Sequence, residues 1–399
     1  MPQRVVLYPR AVIDFDQNAT TPVHPEVAEF LAKLYRDTAG HGNPSSVHGR
    51  GRKARAWLEE ARRRLAATVG ASALELTFTS GGTEADQLAI RGAARALRKA
   101  GAPSGVLSSP VEHAAVRDAL VRLEAEGHPV VRVRPDGCGR FAIDALVAAV
   151  DAAPEVGLVS LAHANHELGN FYALDAWVPA LREGHRDLLI HSDAVQAFGK
   201  RPLDFAALDL DMMSLSSHKV RGPKGIGALV HRAHTKIEGL WGGGKQERGR
   251  RTGTEDPIAA LGFALAAELA VSALAARAAR VEPLRDRLLE GLRKLSGVDI
   301  LGDLDAHVGN TLCATFEGCE GELLMMNLDL EGICVSTGSA CSVGTVGASE
   351  VLLGLGLAPA RARSALRFSL GPDNDAAQVD RLLSLLPGIV DRVRGEARA

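Results

Sequence analysis

A chain of 399 residues is too long for one compact core and predicts two domains. Hydrophobic residues make up 46% and charged residues 24%, an ordinary globular balance, and 46 Lys+Arg against 48 Asp+Glu leave a net charge of −2. Nothing in that balance draws the chain generally to nucleic acid or to an anionic membrane.

In chain order, MPQRVVLYPRAVIDFD has no long apolar core followed by a small-residue cleavage site and reads as mature sequence. Asn18-Ala19-Thr20-Thr21-Pro22 predicts a turn into a helix near Pro25 to Tyr35. Gly42 to Arg55 is a polar loop running into a basic amphipathic helix that ends near Ala67. Leu76 to Thr79 reads as a strand, Ser80-Gly81-Gly82-Thr83 as a tight loop and Glu84 to Lys99 as a helix. Further strands are predicted near Gly105 to Leu107, Val130 to Val133, Gly157 to Leu161, Leu188 to His191, Met212 to Leu215 and Ala228 to His231, mostly separated by helical stretches. This β-α alternation implies a mainly parallel sheet covered by helices on both faces.

Pro257 to Val281 reads as one long, buried helix; Glu268, Arg277 and Arg280 interrupt it, so no uncharged run approaches the roughly 20 residues that span a bilayer. Beyond it the pattern shortens to strand-like LCATF, a helix over Glu320 to Asp329, strand-like ICVS, then LRFSL and a terminal helix. A domain boundary falls near residue 258, giving a large domain over 14–258 and a small one from 1–13 and 259–399. The five cysteines (Cys138, Cys313, Cys319, Cys334, Cys341) are odd in number and form no C-x-x-C pair, which favours free thiols in a reducing, cytoplasmic setting.

The chemistry concentrates in Ser214 to Gly227, SLSSHKVRGPKGIG. A short apolar strand there gives way to Ser216, Ser217, His218 and Lys219 before a Gly/Pro turn, so a lysine stands at a strand exit beside two hydroxyls and an imidazole. An anion next to a reactive amine is what pyridoxal phosphate requires: the lysine bonds the cofactor aldehyde while Ser216 and His218 bind the phosphate. A solvated basic loop, with Arg221 and Lys224 following, is the bland alternative.

The loop before the helix at Glu84 offers unpaired N–H groups and a helix dipole to a phosphate; Gly82 admits close approach and Thr83 adds a hydroxyl, although the same residues suit plain N-capping. His113, just after a strand, can stack on a cofactor ring or simply begin a helix at the surface. Asp193, following a strand, can pair with a pyridinium nitrogen or act as an N-cap. No G-x-x-x-x-G-K-[ST] and no strand-borne G-x-G-x-x-G occurs, which removes the best support for nucleotide or NAD binding.

NATTP, GNPSSVH, TSGGTE, VEHAAV, SDAVQ, SSHK, GPKGIGAL, GGGKQERGRRTGTE, STGSAC and LRFSLG, in this order, closely resemble the motifs of cysteine desulfurases, from about Ile13 to the last helix. The resemblance is to the group serving iron–sulfur assembly and nitrogenase maturation, within the class V aminotransferase superfamily of fold-type I pyridoxal phosphate enzymes. It implies an α/β fold: a large domain with a mainly parallel seven-stranded sheet covered by helices, and a smaller α+β C-terminal domain.

It also implies roles. Lys219 is the lysine that holds the cofactor, Asp193 the partner of its pyridine nitrogen, His113 the stacking histidine and Gln196 the donor to its phenolic oxygen. Thr83, Ser216 and His218 bind the phosphate, and Thr254 reaches the phosphate of a partner subunit, hence a homodimer. Arg367 receives the carboxylate of the substrate, L-cysteine, and Cys341 is the nucleophile that accepts sulfur. Gly338, Gly344 and Gly347 suit a mobile loop carrying that sulfur to an acceptor protein, such as an iron–sulfur scaffold.

Three departures stand out. His166 occupies the position of the family's asparagine, which touches the cofactor oxygen and the substrate carboxylate. An imidazole there is expected to titrate near neutral pH where an amide does not, and the neighbouring Asn165 is a candidate to take over the amide's role. His163-x-x-His166-Glu167 lacks the helical H-E-x-x-H of a zinc site, so no metal is expected. The Cys341 loop lacks the family's Leu-Glu-Pro, and the chain stops soon after Val393, without the C-terminal extension with which housekeeping members hold their scaffold. The alternatives are another class V enzyme, an aminotransferase or selenocysteine lyase, and a weakly catalytic binding protein kept as a sulfur relay.

Overall fold

The computed structural model describes residues 12–338 and 347–396. The first strand, β1 (Ile13–Asp14), and helices α1 (Pro25–Arg36) and α2 (Gly49–Ala67) precede the alternating region. That region runs β2 (Leu76–Thr79), α3 (Gly82–Lys99), β3 (Gly105–Ser108), α4 (Ala114–Ala125), β4 (Val130–Arg132), α5 (Ile143–Asp151), β5 (Val156–Ala162), α6 (Leu174–Gly184) and β6 (Leu189–Asp193). Strands β7 (Met212–Ser216) and β8 (Gly227–His231) complete it.

These strands form one seven-stranded sheet in the order β2-β8-β7-β6-β5-β3-β4. Only β8 is antiparallel to its neighbours. Every residue of β2, β3, β5, β7 and β8 is buried, as expected of a sheet covered on both faces. Leu58 and Leu65 of α2, Trp177 and Leu181 of α6 and Phe263 cover one face. Leu88 and Ala89 of α3 with Val116 and Leu120 of α4 cover the other. β4 lies at the sheet's edge and is only partly buried.

The expected single helix from Pro257 is in fact two. Helix α7 (Pro257–Ser272) and helix α8 (Leu274–Leu292) meet at Ala273 and are bent by 68°. Asp256 caps α7, its Oδ1 accepting from Ile258 N and Ala259 N at 3.0 Å, and Pro257 sits where no N–H is needed. The break has a packing cause: α7 lies on α1 and α2, whereas α8 turns away to cover a second core. Among the described residues no single helix is long and apolar enough to cross a membrane.

That second core lies on an antiparallel sheet of β9 (Val298–Leu301), β10 (Thr311–Phe316) and, after α9 (Gly321–Leu330), β11 (Ile333–Cys334), α10 (Glu350–Gly354) and α11 (Pro359–Arg363), the strand β12 (Ala365–Ser369), ordered β12-β10-β9. The terminal helix α12 (Ala376–Glu396) packs on α8 and α9. β1 pairs in parallel with β11, so the start of the described chain is stitched to its C-terminal region.

Candidate active site

In an open α/β sheet, side chains that leave the carboxyl ends of the parallel strands converge on one crevice. Here the ends of β2, β3, β5, β6 and β7 deliver Gly82 and Thr83, His113, His166, Asp193 with Gln196, and Ser216 with His218 and Lys219, in that order. All of them line one cavity of about 360 Å³, together with Asn18, Ala19, Asp86, Gly338 and Arg367.

Helix α3 begins at Gly82, two residues earlier than its pattern predicts, so its N-terminus opens directly into the cavity. A Cβ at Gly82 would lie 2.8 Å from Val195 Cγ2 and 3.4 Å from Ser216 Cβ, so only glycine lets these elements approach this closely. The Ser216 hydroxyl is buried and has no hydrogen-bond partner among the described residues. His218 Nδ1 lies 3.1 Å from Thr20 Oγ1, and burial with Lys219 beside it lowers its pKa to about 4. A glycine cradle, a helix N-terminus, an orphaned hydroxyl and an imidazole together are a donor set that fits a phosphate.

Asp193 closes β6, which runs two residues beyond the expected end at His191, and its Oδ1 accepts from Val195 N at 2.9 Å. No helix follows, so it is not an N-cap. Burial raises its pKa to about 6, against the lowering effects of that hydrogen bond and of Lys219. His113 does cap α4, its Nδ1 accepting from Ala115 N at 3.1 Å, and it lines the cavity as well. Burial, then Lys219, Arg117 and Arg367, lower its pKa to about 4, so the ring is neutral with its proton on Nε2. A buried carboxyl group and a flat neutral ring lining one cavity suit a protonated heteroaromatic ring such as pyridoxal's.

Lys219 Nζ donates to Ala19 O at 2.9 Å and to Asn18 O. Arg367 reaches the cavity from β12, with Nη2 2.7 Å from Asp16 Oδ1 and Nη1 donating to His166 O at 3.1 Å.

Two expectations change at the β5 end. Asn165 is buried and does not line the cavity: its Nδ2 donates to Val111 O and its Oδ1 accepts from Glu167 N and Leu168 N, each at 2.9 Å. It closes a turn. His166 does face the cavity, its ring edge-on to His113 with centroids 4.9 Å apart. Burial, followed by His113, Arg367 and Lys219, drives its pKa well below the ordinary value, so it is a neutral hydrogen-bonding group near neutral pH and not a titrating one.

Thr254 is exposed and lies outside this cavity, against Phe78, Thr79 and Glu255. Cys341 lies outside the described residues. The sequence reading missed Asn18, Asp16, Asp86 and Lys200. Asn18 sits inside the quoted NATTP but was read only as a turn; Asp86 is one helical turn beyond Gly82, and Lys200 one turn's spacing beyond Gln196, signals that spacing alone offered.

The model of the family described as aminotransferase class-V matches residues 13–382. An IscS-like cysteine desulfurase of Mycobacterium tuberculosis is 42% identical over 96% of this chain and 98% of its own length. A cysteine desulfurase of Cereibacter sphaeroides is 43% identical over 95% and 96%. Among solved structures, a NifS-like protein superposes with a TM-score of 0.88 at 34% identity, over 96% of this chain and 100% of that one.

Proposed function

We propose an activity on the premise that the chain belongs to the class-V aminotransferase family: it is a pyridoxal-phosphate-dependent cysteine desulfurase that turns L-cysteine and a protein thiol into L-alanine and a protein persulfide. The observation that carries this reading is the convergence of Lys219, Asp193, the partnerless Ser216 hydroxyl and Arg367 on one cavity.

The bound cofactor supplies an electron sink that stabilises negative charge at the substrate's Cα. Lys219 would hold it, Asp193 would pair with its ring nitrogen, His113 would stack on its ring and Gln196 would donate to its ring oxygen. Gly82, Thr83, Ser216 and His218 would bind its phosphate. Arg367 receives the substrate carboxylate, a task suited to a planar two-pronged donor, and neutral His166 borders the same end. The Lys219 amine removes the proton from Cα. The Cys341 thiolate attacks the substrate sulfur; an S–S bond forms, the Cβ–S bond breaks, and the carbon fragment is protonated and leaves as alanine.

The division of labour follows a partition into a large domain over 14–258 and a small one from 1–13 and 259–399; the confinement of the seven-stranded sheet to the first range and of the three-stranded sheet to the second supports it. Thr254, exposed and outside its own chain's cavity, serves the phosphate site of a partner subunit in a homodimer. The persulfide passes to an acceptor protein of iron–sulfur assembly. Cys138, Cys313, Cys319 and Cys334 are free thiols, which supports a reducing, cytoplasmic setting.

Alanine and sulfide are measured from cysteine with and without a thiol reductant. The parent should release sulfide only when reductant is present, and Cys341→Ser should lose roughly 100-fold or more in alanine formation. An unchanged rate in Cys341→Ser would remove Cys341 from the mechanism and favour a lyase.

A further inference from the structure

Lys200 is buried yet has no counter-ion among the described residues. Its Nζ donates to Gln196 Oε1 at 2.6 Å and to Asn18 Oδ1 at 2.9 Å, both neutral amide oxygens. Burial lowers its pKa well below the usual lysine value, and the charges nearest it, Arg277, Lys219 and Arg367, push the same way. Charged or neutral, the amine has at least two N–H groups for the two acceptors present. Burying a lysine in this way costs free energy that the two hydrogen bonds only partly offset, and Lys200 does not itself line the cavity but stands behind Gln196 and Asn18, which do.

What the arrangement does is remove a degeneracy. A glutamine amide can turn by half a revolution and exchange its oxygen for its NH2 with little change in shape. At Gln196 that exchange would set NH2 against the donors of Lys200 and oxygen against Asn18 O, which now accepts from Gln196 Nε2 at 3.0 Å. The contact with Asn18 O would become repulsive, and the Lys200 amine would lose the oxygen it now donates to. Gln196 therefore keeps Oε1 inward and Nε2 outward, and the second Nε2 hydrogen has no partner within the described chain while the residue lines the cavity. The Asn18 side chain is fixed by the same amine: its Oδ1 takes Lys200 and Asn310 Nδ2, leaving Nδ2 to hold Thr311 Oγ1 at 2.9 Å and His166 O at 3.2 Å.

We propose that Lys200 is a positioning residue, which locks the Gln196 amide so that an N–H donor, and not a carbonyl oxygen, faces the ring oxygen of the bound cofactor. This rests on the reading that Gln196 donates to that oxygen. A donor there stabilises the ionised oxygen, so the pH midpoint of the bound cofactor's visible absorbance reports on it.

The test compares that midpoint in the cofactor-loaded parent, Gln196→Ala, Lys200→Met and the double mutant, alongside thermal melting of each loaded protein. Lys200→Met should move the midpoint in the same direction as Gln196→Ala but less far, and the double mutant should match Gln196→Ala alone, because Lys200 acts only through Gln196. A Lys200→Met midpoint equal to the parent's, with Gln196→Ala shifted, overturns the inference, whatever happens to melting. Shifts that sum in the double mutant overturn it too. If Gln196→Ala itself leaves the midpoint unmoved, the role of Gln196 fails and the inference with it. Lys200→Leu makes the same deletion in a shorter side chain and answers the question if Lys200→Met does not fold.

Discussion

Arg367 is already paired before any substrate arrives: its Nη2 lies 2.7 Å from Asp16 Oδ1, across 351 residues of sequence, while its buried Nε has no partner among the described residues. An incoming carboxylate must therefore compete with Asp16 for the guanidinium. Asp16→Asn should lower KM for cysteine by roughly three- to tenfold with little change in kcat, since the lost competitor is an ion pair worth about 1 kcal/mol. Steady-state kinetics check it; a raised KM would mean that Asp16 orients the arginine instead.

Lys219→Ala should abolish covalent attachment of the cofactor. No other lysine lines the cavity, so Lys200, behind Gln196, cannot substitute. The purified variant should lose the visible band of bound cofactor, and borohydride should no longer fix cofactor to the chain. A retained, reducible band would move the assignment to another amine.

Because His166 is held neutral, His166→Asn should not remove an ionisation from cysteine binding near neutral pH. Titrations with cysteine from about pH 6 to 8 should give parallel profiles for parent and variant, offset by a constant factor of a few-fold from the changed hydrogen bond. A slope present in the parent and absent from the variant would show that His166 titrates there after all.

Glu112 gives a stability prediction with a definite sign. It is buried, its Oε1 accepts from Ala162 N at 3.1 Å and its Oε2 has no partner among the described residues. Burial first, then Asp193, raise its pKa from 4.5 to about 8. A raised folded pKa means that the native state keeps a proton the unfolded chain releases, so the contribution is full below pH 4.5 and is lost as pH rises towards 8. Glu112→Gln mimics the neutral acid and lacks this loss. Its melting temperature relative to the parent should climb between pH 5 and 8, by an amount on the order of 5 °C, and then level off. Melting curves that stay parallel across that range would place the carboxylate's ionisation elsewhere.

The sequence by itself determined the parts of this protein that depend on local pattern. Runs of β-branched and apolar residues marked the strands, and polar residues at the exits of those strands marked Gly82, Thr83, His113, Asp193, Ser216, His218 and Lys219. Because a parallel sheet brings the carboxyl ends of its strands to one edge, finding the strand ends was enough to find most of the polar residues that line one cavity. Whatever depends on partners distant in sequence was decided by the tertiary structure. Asn18 meets Lys219 across 201 residues and Lys200 across 182, and no spacing rule predicts either contact. Ser272-Ala273 carries no glycine or proline to mark the break between α7 and α8; the break comes from the two helices choosing different cores. The charge state of His166 follows the same logic. An exposed imidazole titrates near neutrality, and only its burial beside His113, Arg367 and Lys219, brought there by three separate strand ends and a lysine turn, makes this one a neutral group.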